Sequence, residues 1–209
     1  MDTPLPSVQR RLEQMFAEHG GLLRAQQVRE AGLDPHLLTR WLEAGRIERL
    51  SRGVYAAIQT SPHPYGELLE VQLRIPYALP CLLSALAFHG LTTFKPPRLY
   101  FAIPRNRTFP PLEYPPLERF YYSGAMYAYG QQVQTLEGQT LTLYSAEKTL
   151  ADCLKYAPRL GKEPFFEGLK TYLKRPRPAL DTLLEAARVC RVEAKMRDAL
   201  ELLTYSIDT

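Results

Sequence analysis

His36, Thr39 and Arg40 are spaced by three and four residues, so a helix would carry them on one face together with Glu43. Their chemistry is hydrogen bonding to base edges and phosphates, for which the planar guanidinium fork is better suited than an ammonium. Arg49, Ser51 and Arg52 gather about ten residues on, around a Gly-containing turn that could rest on a sugar-phosphate backbone. Arg24, Gln26 and Gln27 open an upstream helix, where backbone N–H groups can also meet phosphate.

The surrounding sequence supplies elements that would hold these side chains. Asp34-Pro35 is a capping residue followed by proline, a common helix start. Leu37, Leu38, Trp41 and Leu42 then share one face, and Gly45 marks the stop. A second short helix is expected over Ala25–Ala31, turning Val28 inward toward Leu22, Leu23 and Leu33, with Gly32-Leu33 as the tight turn between the two. An earlier helix over Val8–Glu18 places Val8, Leu12, Met15 and Phe16 on one stripe. After Gly45 the period changes. Ile47, Leu50, Val54, Tyr55 and Ile58 flank Ser51-Arg52-Gly53, which reads as a β-hairpin. Three helices and a hairpin over residues 1–60 predict a winged helix-turn-helix, a double-stranded DNA-binding domain.

Net charge is a weaker argument. Residues 1–60 hold eight arginines against seven acids, a net of only +1. The wing and turn arginines nevertheless lie away from most of the acids, and no lysine precedes Lys95. Two function classes fit: a DNA-binding regulator, or a winged-helix protein-interaction module without sequence-specific DNA binding.

Polar residues and two prolines over Gln59–Tyr65 suggest a break, with a second α+β domain over 61–209. Helical stretches are expected over Glu67–Arg74 and Cys81–His89. Strands are expected over Arg98–Pro104, Phe120–Tyr122 and Leu141–Tyr144, the last after a Glu137-Gly138 turn. A proline-rich connection over 105–116 joins the first two. Together they predict a small mixed sheet at about 98–144, followed by helices over 145–205 that open at the capping residue Ser145. The expected class is α+β. Repeated tyrosines in the middle region are expected to pack across strands rather than form a binding platform.

Catalytic and metal patterns are missing from the sequence. There is no Gly-rich phosphate loop with Lys-Ser/Thr and no Gly-x-Ser-x-Gly elbow. A nuclease would need clustered acids and a lysine around a metal. Glu193-Ala-Lys195 has the local order but falls in a helix, and Glu147 and Asp152 do not share a helix face. Four scattered histidines complete no metal spacing, and Cys81, Cys153 and Cys190 read as small core residues of a reducing cytoplasm. No apolar run reaches 18 residues, and the N-terminal segment lacks the core of a signal peptide. A non-enzymatic chain without cofactor, metal or membrane partner is expected.

Three blocks carry a resemblance. They are Gly21-Leu-Leu-Arg24 through Gly45-Arg-Ile-Glu-Arg-Leu-Ser-Arg-Gly-Val-Tyr55; Ser84-Ala-Leu-Ala-Phe-His-Gly-Leu91 leading to Pro97-Arg-Leu-Tyr-Phe-Ala-Ile-Pro104; and Leu143-Tyr-Ser-Ala-Glu-Lys-Thr-Leu-Ala-Asp152. In this order they make the chain similar to AbiEi-type antitoxins, the regulator half of type IV toxin–antitoxin pairs in abortive infection and phage defence. The resemblance implies a repressor that binds inverted repeats in its own promoter. It also implies an antitoxin domain that neutralises a nucleotidyltransferase-like toxin, often without a tight complex. Lys148, Thr149 and Asp152 match the third block, where a helix start with local ion pairing is expected over catalysis. A basic cluster, Lys170, Lys174, Arg175 and Arg177, is a candidate contact for toxin or DNA.

Overall fold

The computed structural model describes residues 7–58, 64–136 and 138–205, among which ten helices and eight strands form an α+β chain. The first seven elements are α1 (Ser7–Glu18), β1 (Leu22–Arg24), α2 (Ala25–Glu30), α3 (His36–Glu43), β2 (Ile47–Ser51), β3 (Val54–Ala57) and α4 (Gly66–Arg74). Leu12, Met15 and Phe16 of α1 meet Leu23, Val28, Leu37, Leu38, Trp41 and Ile47 in one core. The Phe16 and Trp41 rings stack with centroids 5.9 Å apart. Each such side chain withdrawn from water contributes roughly 1.5–3 kcal/mol, enough to hold three short helices that would not persist alone.

Two residues depart from the expected stripes. Val8 is 43% exposed in the first turn of α1, one turn before burial begins at Leu12, and Leu42 is 38% exposed one position past buried Trp41. Leu22 and Leu23, expected beside Val28 with no element assigned to them, are buried and form strand β1. It pairs antiparallel with β3, Leu22 facing Ala56, giving the sheet order β1-β3-β2. In the β2–β3 wing, Arg49 faces Tyr55 and Ser51 faces Val54, so Leu50 is an extra residue in the ladder. A bulged residue leaves a backbone group to be satisfied elsewhere. Here the Arg74 Nε donates to Leu50 O at 2.9 Å.

The remaining elements are β4 (Leu79–Pro80), α5 (Leu82–Phe88), β5 (Leu99–Pro104), β6 (Leu117–Tyr122), α6 (Gly124–Ala128), β7 (Gln131–Leu136), β8 (Gln139–Tyr144), α7 (Ala146–Leu160), α8 (Glu163–Leu173), α9 (Leu180–Val189) and α10 (Glu193–Tyr205). Strand β5 is antiparallel to β4 and parallel to β6, so the sheet is mixed. The proline-rich residues 105–116 make the crossover that parallel pairing requires. The expected single sheet over 98–144 is corrected on one point: β7 and β8 form a separate two-stranded hairpin. β7, Gln-Gln-Val-Gln-Thr-Leu, has no buried residue and so no apolar face to lay against the sheet. Tyr122 and Tyr144 are completely buried, with ring centroids 5.7 Å apart.

The chain divides into two compact units. Described residues through Pro76 join Gln134–Leu141 in the first, while Tyr77–Val133 and the chain from Thr142 onward form the second. The division therefore falls after α4 rather than at residue 60, because α4 bonds to the wing through Arg74 and receives the Arg24 Nη2 on Leu73 O at 3.0 Å. The expected break over 59–65 falls partly outside the described residues, as does Glu137 of the expected Glu137-Gly138 turn. Within the first unit, the buried Gln139 donates from Nε2 to Leu22 O at 2.6 Å. Beside it, Gly138 has φ +71°, and a Cβ there would stand 2.6 Å from Glu18 O. Only glycine fits that approach.

Candidate nucleic-acid interface

Helix α3 begins after Pro35, with the His36 N–H donating to Asp34 Oδ1 at 2.9 Å. Its inner face is closed by Leu37, Leu38 and Trp41. The outer face therefore presents His36, Thr39, Arg40 and Glu43, all exposed. Among the described residues, none of these four side chains makes a hydrogen bond or ion pair. Arg46, beyond the helix end, lies over the Trp41 ring at 5.5 Å from its centroid.

The other six candidates divide by what they already bond. On the wing, Arg52 is exposed and has no partner among the described residues, Arg49 donates from Nε to Ser51 O at 3.3 Å, and Ser51 is half-buried. Gln27 is a cap: its Oε1 accepts the Arg24 N–H at 2.7 Å, so its acceptor is used inside the helix start. Gln26 donates to Glu30 at 2.8 Å and stays exposed. Arg24 is half-buried with one Nη on Leu73 O. The sequence separates these roles poorly, because capping and phosphate contact draw on the same residue types at a helix start.

In the second unit, Lys170, Lys174 and Arg177 are exposed. Arg175 is partly buried, donates from Nη2 to His89 O at 2.8 Å and lies over Tyr172 at 5.4 Å. Arg175 therefore spends part of its donor capacity inside the fold, while the other three keep theirs toward solvent.

Lys148 and Asp152 are both 0% exposed. The Nζ lies 2.6 Å from each carboxylate oxygen, and Cys190 Sγ donates to Oδ1 at 3.2 Å. The ammonium also faces the Tyr122 and Tyr144 rings, 4.8 and 4.4 Å from their centroids. Its stem is packed so closely that a Cβ at Gly130 would come 2.7 Å from Lys148 Cβ. Burial pushes the Asp152 carboxyl above its ordinary value, opposed by Lys148. In this sealed pair each charge compensates the other, so removing one alone would be costly, and neither side chain is open to a substrate. It matches the local ion pairing expected at the start of α7. Among the described residues, no group of three or more His, Cys, Asp or Glu gathers as a metal site, and no helix is long and apolar enough to cross a membrane.

Helices α1–α3 with the sheet β1-β3-β2 define a winged helix-turn-helix, a class of regulator domain built around an exposed helix and an adjoining wing. Residues 10–58, covering that domain, match the family described as transcriptional regulator, AbiEi antitoxin. The expected resemblance is borne out over this first block. A solved structure, that of the RV2827C protein from Mycobacterium tuberculosis, is similar at 16% identity with a TM-score of 0.49, covering 96% of this chain and 83% of that one. No curated protein matches the chain.

Proposed function

We propose that the chain is an antitoxin that represses its own toxin–antitoxin operon by binding inverted repeats in the promoter and neutralises a nucleotidyltransferase-like toxin. The observation that carries the DNA half is the outer face of α3. His36, Thr39, Arg40 and Glu43 stand exposed there without partners among the described residues, so their hydrogen-bonding capacity is unspent. Unpaired Arg52 and neighbouring Arg49 would hold the backbone while α3 meets base edges. The toxin half rests on the resemblance to AbiEi-type antitoxins. Buried, unbridged cysteines fit a reducing cytoplasm as the site of action. The protein acts by binding, without catalysis or cofactor.

The test is a mobility shift of the full chain with DNA from immediately upstream of its own gene, titrated with salt and unlabelled competitor. A specific shift that weakens steeply with salt is expected. No shift above random DNA would defeat the repressor reading and favour a protein-interaction module, a reading suited to the +1 net charge of residues 1–60. Co-expression with the neighbouring gene tests the antitoxin half: restored growth is expected, and unrelieved toxicity would refute it.

A further inference from the structure

An open cleft of about 230 Å3 lies between α2 and the wing turn of the first unit. Arg24, Arg29 and Arg52 line it with Gln26 and Ser51, and Leu73–Arg74 at the end of α4 closes it. No carboxylate is among its lining residues. Arg29 is not one of the nine DNA-contact candidates that the sequence marks. Its Nε donates to Ala25 O at 3.4 Å, which leaves its two Nη groups free to face the cleft. Arg24 spends one Nη on Leu73 O, and Arg52 spends none on the described residues.

Arg74 serves a different purpose. It donates from Nε and Nη2 to Leu50 O, and its Nη1 lies 3.0 Å from Glu70 Oε1. It straps the bulged wing strand to α4 and answers the charge of Glu70, a nearby carboxylate on that helix. Three guanidinium groups are thus left facing one space without a counter-charge among its walls. Guanidinium forks bind phosphate oxygens two at a time, and converging cations of this kind are costly unless an anion joins them.

We infer that this cleft seats one phosphodiester of a DNA backbone, so that Arg29 and the end of α4 belong to the DNA interface. The inference rests on the proposed DNA-binding reading and extends the interface beyond residues 10–58, the segment matched by the family. A phosphodiester of a bound duplex is favoured over a free anion because Arg52 and Ser51 belong to both cleft and wing, in the same unit as the α3 face.

The test is fluorescence anisotropy of the full chain with labelled upstream duplex and with a random-sequence duplex of equal length, across a KCl series. Removing one phosphate-neutralising cation lowers the slope of log affinity against log salt by about 0.9. Arg29→Gln should lower the slope by that amount on both duplexes while preserving their affinity ratio, and Arg29→Lys should restore the slope. An unchanged slope in Arg29→Gln, with wild-type binding intact, would overturn the cleft while leaving the DNA reading standing. Wild-type protein that binds neither duplex would overturn both, and a changed ratio would make Arg29 a base reader instead. Arg29 is exposed, so an unaltered thermal melt should accompany each result.

Discussion

Replacing Lys148 with Met should be among the most damaging single changes available in the second unit. The substitution keeps most of the side-chain volume and removes the cation from a fully buried site. Asp152, itself 0% exposed, would be left with the weak Cys190 thiol donor at 3.2 Å in place of an ammonium. The rings of Tyr122 and Tyr144 would lose the ammonium they face at 4.8 and 4.4 Å. Breaking a buried pair on one side costs about 3–5 kcal/mol, because the partner charge remains without compensation. At about 2–4 °C per kcal/mol for a chain of this size, the melting temperature should fall on the order of 6–20 °C. Asp152→Leu should cost a similar amount by stranding Lys148. The double variant, Lys148→Met with Asp152→Leu, should recover most of the loss, since replacing both charges with apolar groups is often neutral. Urea unfolding followed by near-ultraviolet tyrosine dichroism is the assay; the lone tryptophan, Trp41, belongs to the first unit and reports on that unit instead. Single variants within about 1 kcal/mol of wild type, the range of an exposed pair, would refute the burial argument. A double variant as unstable as the sum of the singles would refute the coupling.

Three further outcomes are expected. Arg40→Ala should cost about 1–3 kcal/mol of binding and relax sequence preference, whereas Arg52→Ala should weaken all duplexes alike; equal affinities of both variants and wild type in competition binding would remove these residues from the interface. Gln139→Leu should destabilise the first unit by about 1–3 kcal/mol by leaving the Leu22 carbonyl without its side-chain donor, read by Trp41 fluorescence during urea unfolding. Burial lowers the pKa of His89, aided by Arg175 and opposed by the bond to Tyr144 O, whose acceptor requires a proton on Nε2. A depressed value means that the unfolded chain takes up the proton first. The contribution is present above pH 6.5, the ordinary value, and is lost as pH falls toward the folded value. His89→Gln should flatten that loss in a stability-versus-pH series, and an unchanged acid limb would count against it.

The helices of the first unit are legible because their apolar residues recur at helical spacing and are punctuated by Asp34-Pro35, Gly32 and Gly45. Leu12, Met15, Phe16, Leu37, Leu38 and Trp41 are all buried as that spacing predicts. Strand β1 is not legible: three residues are too few to carry a period, and its pairing with β3 lies some thirty positions away. β4, with two residues, and the five-residue α6 escape for the same reason, and β7 because it is polar throughout. The α3 face can be read from spacing alone. The bonds of Arg24, Gln27 and Arg175 cannot, since a basic or polar side chain carries no sequence mark of the carbonyl or N–H it will meet. Arg29 and Arg74 are hidden similarly, becoming neighbours only when α4 closes beside the wing turn.

The docked hairpin tip also fixes an order of events during synthesis. The first unit takes Gln134–Leu141 as part of itself, and Gln139 supplies a donor to the Leu22 carbonyl. A ribosome that has made the whole α3 face and wing still holds back the segment that completes their unit. The first unit of the nascent chain is therefore complete only after about two-thirds of the residues have been joined and have cleared the exit tunnel. By then strands β4–β6 of the second unit have already been made. Fragments cut off by early termination before Leu141 would therefore lack the segment that completes the first unit.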